Sequence, residues 1–154
     1  MASRTMLIGE WHSGKSTLIR VLTGKDYVPR KVLALDYFEG FVNTPSEFLE
    51  RRWYYWALIN ESADCDLLLF LHSAVNRTTQ MAPGLATLFN RRVLGVVTQV
   101  DRPDANVRRA RKFLANAGLK DIIEVSAVTG QGMDALRAIV DEAAAGSFLH
   151  RSFK

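Results

Sequence analysis

A single cysteine, Cys65, stands in the chain. No internal disulfide can form, which excludes the disulfide-stapled secreted class and points to a reducing cytoplasm. The thiol itself reads as a small buried hydrophobe. No stretch approaches the roughly 20 apolar residues of a membrane helix. The opening MASRTMLIGEW carries too short an apolar run for a signal peptide. Charge of one sign is also scarce, the net value being +4. Basic residues gather in RPDANVRRARKFLANAG without a nucleic-acid reading motif or interleaved aromatics, so no nucleic-acid partner is expected. Arg108, Arg111 and Lys112 there read as a solvated helix face, with a partner surface as the alternative. His72 and His150 lack metal-ligand spacing with Cys65 or each other, which excludes a zinc site. Ser73 and Ser126 have no His–Asp arrangement near them in sequence, which leaves a hydrolase triad unsupported.

What is present is a globular composition, 48% apolar and 23% charged over 154 residues, enough for one core. There is no internal repeat, low-complexity tract or interdomain linker. RTMLIG, CDLLLFLHS, VLGVVTQV and DIIEVSA are short apolar runs with the look of buried strands. VLALDYFEGFVN suggests two short strands or a hairpin around Gly40. GKSTLIRVLTG, PSEFLERRWYYWALINESAD, APGLATLFNRR, NVRRARKFLANAG and GMDALRAIVDEAAAG read as helices, several closed by glycine. A single domain is expected over residues 1–145, with 146–154 as a loose C-terminal tail. Strands alternating with helices imply right-handed crossovers and a mostly parallel central sheet with helices on both faces. Ligands in such folds bind beyond the carboxyl ends of the strands. Gly9–Ser16, Asn43–Ser46, Thr98–Asp101 and Ser126–Ala127 all follow strand ends, so four segments are expected on one rim.

GEWHSGKST, residues 9–17, has the G-x-x-x-x-G-K-S frame of a phosphate-binding loop. Its flanking strand and helix supply the context that gives the pattern meaning. Backbone N–H groups from Gly9 through Thr17, with His12, Ser13 and Gly14 between, can surround phosphate at a helix N-terminus. Lys15 reaches the β- and γ-phosphates, and the Ser16 hydroxyl is a Mg²⁺ ligand. Thr98-Gln99-Val100-Asp101 supplies a carboxylate able to accept two hydrogen bonds from guanine, which adenine cannot offer. A turn residue before Pro103 is the simpler reading of Asp101 alone. Ser126 and Ala127 bring backbone groups toward the same base.

The order of these segments resembles the small G-protein domain, a P-loop NTPase of the α/β class. The segments NTPSEFLERRWYYWALINESADCDLLLFLHSA, APGLATLFNRRVLGVVTQVD and FLANAGLKDIIEVSAVTGQGMDALR are similar to the EutP/PduV family of bacterial ethanolamine- and propanediol-utilisation proteins. That resemblance implies GTP or GDP and Mg²⁺ as ligands and association with bacterial microcompartments. Acetate kinase activity, assigned to some members, keeps phosphoryl transfer open.

The chain departs from the family at several positions. Asn43-Thr44-Pro45-Ser46 stands where the family has Asp-Thr-Pro-Gly. Asn43 remains a cation-site oxygen without charge, which lowers affinity for a hard cation, and Ser46 restricts the backbone. Gln99 replaces the lysine expected over the base. No serine or threonine occurs from Gly24 to Val42, so the threonine that senses the γ-phosphate is missing. Trp11 sits where a bulky group crowds the attacking water. His12 is a proton donor or phosphate contact in one reading, a solvent-facing loop residue in the other. Glu10 adds negative charge beside the phosphates. Glu47 is the candidate to orient water, although a helix-start carboxylate explains it equally. Slow hydrolysis is the expectation, with Glu47 and Lys15 as catalytic residues. Trp53 to Trp56 cannot all face one side of a helix. Half are expected in the core, and the rest at a homo-oligomer or shell-protein contact.

Overall fold

The computed structural model describes residues 4–30 and 33–152. Six strands form one sheet in the order β2-β3-β1-β4-β5-β6. They are β1 (Thr5–Gly9), β2 (Asp36–Phe38), β3 (Phe41–Asn43), β4 (Leu67–Ser73), β5 (Arg92–Thr98) and β6 (Ile122–Glu124). Every pairing is parallel except β2 with β3. That exception is a hairpin, and its two turn residues, Glu39 and Gly40, both have positive φ, 49° and 83°. Such a pair matches the right-handed twist of the strands it joins. The doubly covered, mostly parallel sheet expected from the sequence is present, and the fold class stands.

Side-chain alternation in the central strands splits the core in two. Met6 and Ile8 of β1 join Leu68 and Phe70 of β4 on one face. There they meet Leu58 from α2 (Tyr55–Ser62) and Ala110 and Leu114 from α3 (Val107–Asn116). Leu7, Leu67, Leu69 and Leu71 lie on the other face. They pack on Leu18 and Ile19 of α1 (Lys15–Thr23) and Met133 and Leu136 of α4 (Met133–Ser152). Every residue of β1 and β4 is buried, which explains why both strands read as continuous apolar runs. Cys65 is buried as expected, and burial pushes its thiol up to about 12.

Three helix expectations need correction. The segment from Pro45 to Asp64 is not one helix. It forms 3₁₀ turns over Ser46–Leu49 and Arg52–Tyr54 before α2 begins. Arg51, at φ −135° and ψ 132°, is the extended break between the turns. Phe48 and Tyr54 stack across it with ring centroids 4.8 Å apart, so tertiary packing overrides the local helical pattern. The APGLATLFNRR segment is likewise only a 3₁₀ turn, Leu85–Leu88. At the other end, α4 continues to Ser152 where a loose tail was expected from residue 146. One glycine, Gly146, costs a helix only about 1 kcal/mol, too little to stop a run entered through three alanines.

Candidate functional site

The loop from Gly9 to Gly14 leaves the buried end of β1 and enters α1. Its turn depends on two positive φ values, 63° at His12 and 95° at Gly14. Space at Gly9 is tight: a Cβ there would run into the Ser13 hydroxyl and come 3.1 Å from the Leu71 carbonyl oxygen. Thr98, at the end of β5, donates its hydroxyl to the Ser13 carbonyl at 2.7 Å. Gln99 donates Nε2–H to the His12 carbonyl at 3.2 Å. Its Oε1 accepts the Ser73 hydroxyl at 2.6 Å. Gln99 is thus a brace between the loop and the end of β4, held at φ 59°.

Lys15 lies at the centre and is only 8% exposed. Its ammonium donates to the Gly9 carbonyl at 2.6 Å, the Glu10 carbonyl at 3.1 Å and the Ser46 hydroxyl at 3.0 Å. Burial lowers its pKa from 10.5 to about 8, against the opposing pull of Glu47 and Glu10. Ser46 therefore does more than stiffen the backbone, since its hydroxyl reaches from the 3₁₀ turn after β3 to the loop lysine. Glu47 is exposed, within electrostatic reach of Lys15.

Trp11 is 66% exposed, and its ring meets the His12 ring edge-on at 5.3 Å. His12 is also exposed. Glu10 is buried, and its carboxylate accepts the Gln80 backbone N–H. It also lies 3.7 Å from Nε2 of the fully buried His72. The negative charge is a tether to the segment after β4 and is partly neutralised there by a backbone donor.

On the rim past β5, the Ser126 hydroxyl donates to Asp101 Oδ1 at 2.8 Å. It also accepts the Thr129 N–H at 3.0 Å. Asp101 itself is exposed, so one oriented carboxylate faces outward. Ser126's own backbone groups close a turn, with its N–H on the Gln131 carbonyl and its carbonyl on the Gly130 N–H. Its contribution is the hydroxyl. The Ala127 N–H makes no hydrogen bond among the described residues, so it is the backbone group left for a ligand.

Near β3, Asn43 donates Nδ2–H to the Tyr27 hydroxyl oxygen at 3.1 Å, and Tyr27 donates to Asp36 Oδ2 at 2.6 Å. Among the described residues, Asn43 Oδ1 is buried without a partner, as is the Ser13 hydroxyl. The half-buried Ser16 hydroxyl also has no protein partner among the described residues. Buried polar atoms without partners are uncommon; one lies within the loop at Ser13 and the other at the end of β3 at Asn43. They fit a phosphate ligand and its hydrated cation. No group of three or more His, Cys, Asp or Glu side chains gathers to hold a metal among the described residues. A divalent ion here therefore needs oxygens from the ligand's own phosphates, as Mg²⁺ commonly takes them.

The rim was legible from motif spacing. The braces were not, because Tyr27, Ser73, His72 and Glu10 act through contacts distant in sequence.

Residues 2–142 match the PduV-EutP family, described as "Ethanolamine utilisation - propanediol utilisation". The chain is 30% identical over 144 residues to the "Probable acetate kinase EutP" of Salmonella typhimurium, covering 92% of this chain and 89% of that one. It is 29% identical over 132 residues to the "Propanediol utilization protein PduV" of Citrobacter freundii, covering 85% and 88%. Among solved structures, the elongation factor SelB of Methanococcus maripaludis with a GTP analogue superposes with a TM-score of 0.62 at 21% identity. That match covers 92% of this chain and 33% of SelB. A probable GTP-binding protein, engB, superposes with a TM-score of 0.57 at 17% identity, covering 94% and 99%.

Proposed function

From the premise that the chain belongs to the PduV-EutP family, we propose that it binds guanine nucleotide with Mg²⁺ and hydrolyses GTP slowly. The observation that carries this is the pairing of the lysine loop with an outward carboxylate, Asp101, oriented by Ser126 on the same sheet edge. Gly9, His12, Ser13, Gly14, Lys15, Ser16 and Thr17 receive the phosphates. Thr98, Gln99, Asp101, Ser126 and Ala127 form the base side. The cation completes charge neutralisation of the phosphates; Ser16 and Asn43 supply this chain's oxygens toward it. Glu47, exposed beside Lys15, is positioned to orient water. Slow turnover follows from a neutral residue at Asn43, from Ser46 engaging Lys15 and from the missing threonine between Gly24 and Val42. Each weakens the positioning and charge stabilisation that phosphoryl transfer depends on.

Calorimetric titration with GTP, GDP and ATP, with and without Mg²⁺, tests the assignment. Micromolar guanine binding with little ATP binding is the expected result. Saturable binding of none overturns it. Acetate-dependent formation of ADP from ATP would put a small-molecule kinase in its place, a reading that Asp101 argues against.

The cellular setting we propose is cytoplasmic and microcompartment-associated. The family description supports it, and no described helix is long and apolar enough to cross a membrane. A surface for assembly is available. Trp53 and Trp56 are 62% and 68% exposed, and the Arg51 guanidinium lies over the Trp53 ring at 5.1 Å. Tyr54 and Tyr55 pack inward against the core, so the expected division of the aromatics holds. Exposed tryptophans beside arginine have the composition of interface anchors. Replacing both by alanine should leave the melting temperature nearly unchanged and abolish self-association or shell-protein capture. A double variant that assembles as the parent does removes the surface from consideration.

A further inference from the structure

We propose that Tyr27 is a positioning residue for the cation side of the site. It orients the Asn43 amide and links it to the negative charge of Asp36. This rests on the nucleotide–Mg²⁺ assignment above and assigns a role to residues outside its motifs.

The orientation follows from counting protons. Tyr27 has one hydroxyl proton, and the Asp36 carboxylate at 2.6 Å takes it. The tyrosine oxygen is then an acceptor, so the Asn43 group 3.1 Å away must be its NH₂. The amide cannot be flipped, and Oδ1 is left as the buried atom without a partner. Each element of the relay is held independently. Arg20 of α1 donates to the Tyr27 carbonyl at 2.8 Å. The Tyr27 ring packs on Phe38 with centroids 4.9 Å apart. Asp36 also accepts the Arg30 N–H at 3.2 Å.

The register also disfavours an aspartate at position 43. Asp36 and Asn43 are direct cross-strand partners in the β2–β3 hairpin. An aspartate at position 43 would set two carboxylates opposite each other, competing for one phenol proton, an arrangement that destabilises a hairpin. An asparagine can donate toward Tyr27 instead. Donation from an amide N–H, in a chain ending on a carboxylate, strengthens its own carbonyl oxygen as an acceptor. Oδ1 thereby regains part of the anionic character lost with the aspartate. It faces the water shell of a bound divalent cation as an oriented acceptor.

The test measures GDP affinity in EDTA and in Mg²⁺ for the wild type, Tyr27→Phe and Asp36→Asn. The readout is the factor by which Mg²⁺ tightens binding. Both variants should lower that factor by about tenfold, the worth of roughly one oriented hydrogen bond, with affinity in EDTA unchanged. Tyr27→Phe keeps the packed ring, and Asp36→Asn serves if the first variant folds poorly. An unchanged Mg²⁺ factor in folded variants overturns the relay while leaving nucleotide binding intact. A wild type that binds nothing even in EDTA overturns both. A nucleotide-free check is available in thermal melts. Asn43→Asp should melt about 5 °C lower, and Asp36→Asn in the same chain should restore most of the loss. An Asn43→Asp protein as stable as wild type also counts against the relay.

Discussion

On the proposed guanine assignment, Asp101→Asn should turn the site into one that prefers xanthine nucleotides. The wild-type carboxylate is fixed by the Ser126 hydroxyl at 2.8 Å and presents two acceptors to the N1–H and exocyclic amine of guanine. An asparagine presents one acceptor and one donor. Its NH₂ then meets the guanine amine donor to donor, whereas the C2 carbonyl of xanthine accepts it. The Ser126 hydroxyl can donate or accept, so it serves either side chain. Losing a charge-assisted pair and creating a donor clash should weaken GDP by a factor on the order of 10²–10⁴. Titration of the variant with GDP, XDP and ADP checks this. GDP affinity that stays near the wild-type value would show that Asp101 is a turn residue and that the base lies elsewhere.

The second large effect is a pH dependence set by Lys15. In the nucleotide-free protein burial holds this ammonium at a pKa of about 8, below its ordinary 10.5. A phosphate beside it favours the charged form, so the bound-state pKa is higher. Above about pH 8 binding must therefore take up a proton. Affinity falls as pH rises, with a slope approaching tenfold per pH unit, since one unit corresponds to about 1.4 kcal/mol. Below that pH the lysine is charged in both states and the slope disappears. Stability of the nucleotide-free protein carries the opposite sign. Between about 8 and 10.5 the unfolded chain holds the proton more firmly than the folded one, so the contribution of this group to stability rises with pH across that window. Titrations between pH 7 and 9, in buffers of different ionisation enthalpy, read the proton uptake directly. Lys15→Arg keeps its charge throughout and should lose the slope whatever its affinity. A wild-type affinity flat across the range would mean that Lys15 enters the complex already protonated.

How much was legible in the sequence depends on the range of the interactions involved. Strands β1, β4 and β5 and helix α1 follow from contiguous residues: buried apolar runs, a glycine in the left-handed region at Gly24, a loop frame before a helix. The rim was legible because parallel strands place their ends together whatever the side chains do. The 45–64 segment was misread because its apolar pattern suits a helix, while its packing does not. Phe48 and Leu49 are buried before the extended break, Leu58 after it. A similar limit hid the tethers. Glu10 is next to the loop glycine, yet its partners Gln80 and His72 lie more than 60 residues away, and nothing local predicts that its charge turns aside. Tyr27 belongs to none of the motifs, and its meaning comes only from the register that sets Asp36 opposite Asn43.

Lys15 donates to three oxygens of the protein itself, two of them carbonyls of its own loop. All three ammonium protons thus have partners within the chain. An incoming phosphate must exchange with these oxygens, so measured affinity is the difference between two well-satisfied arrangements.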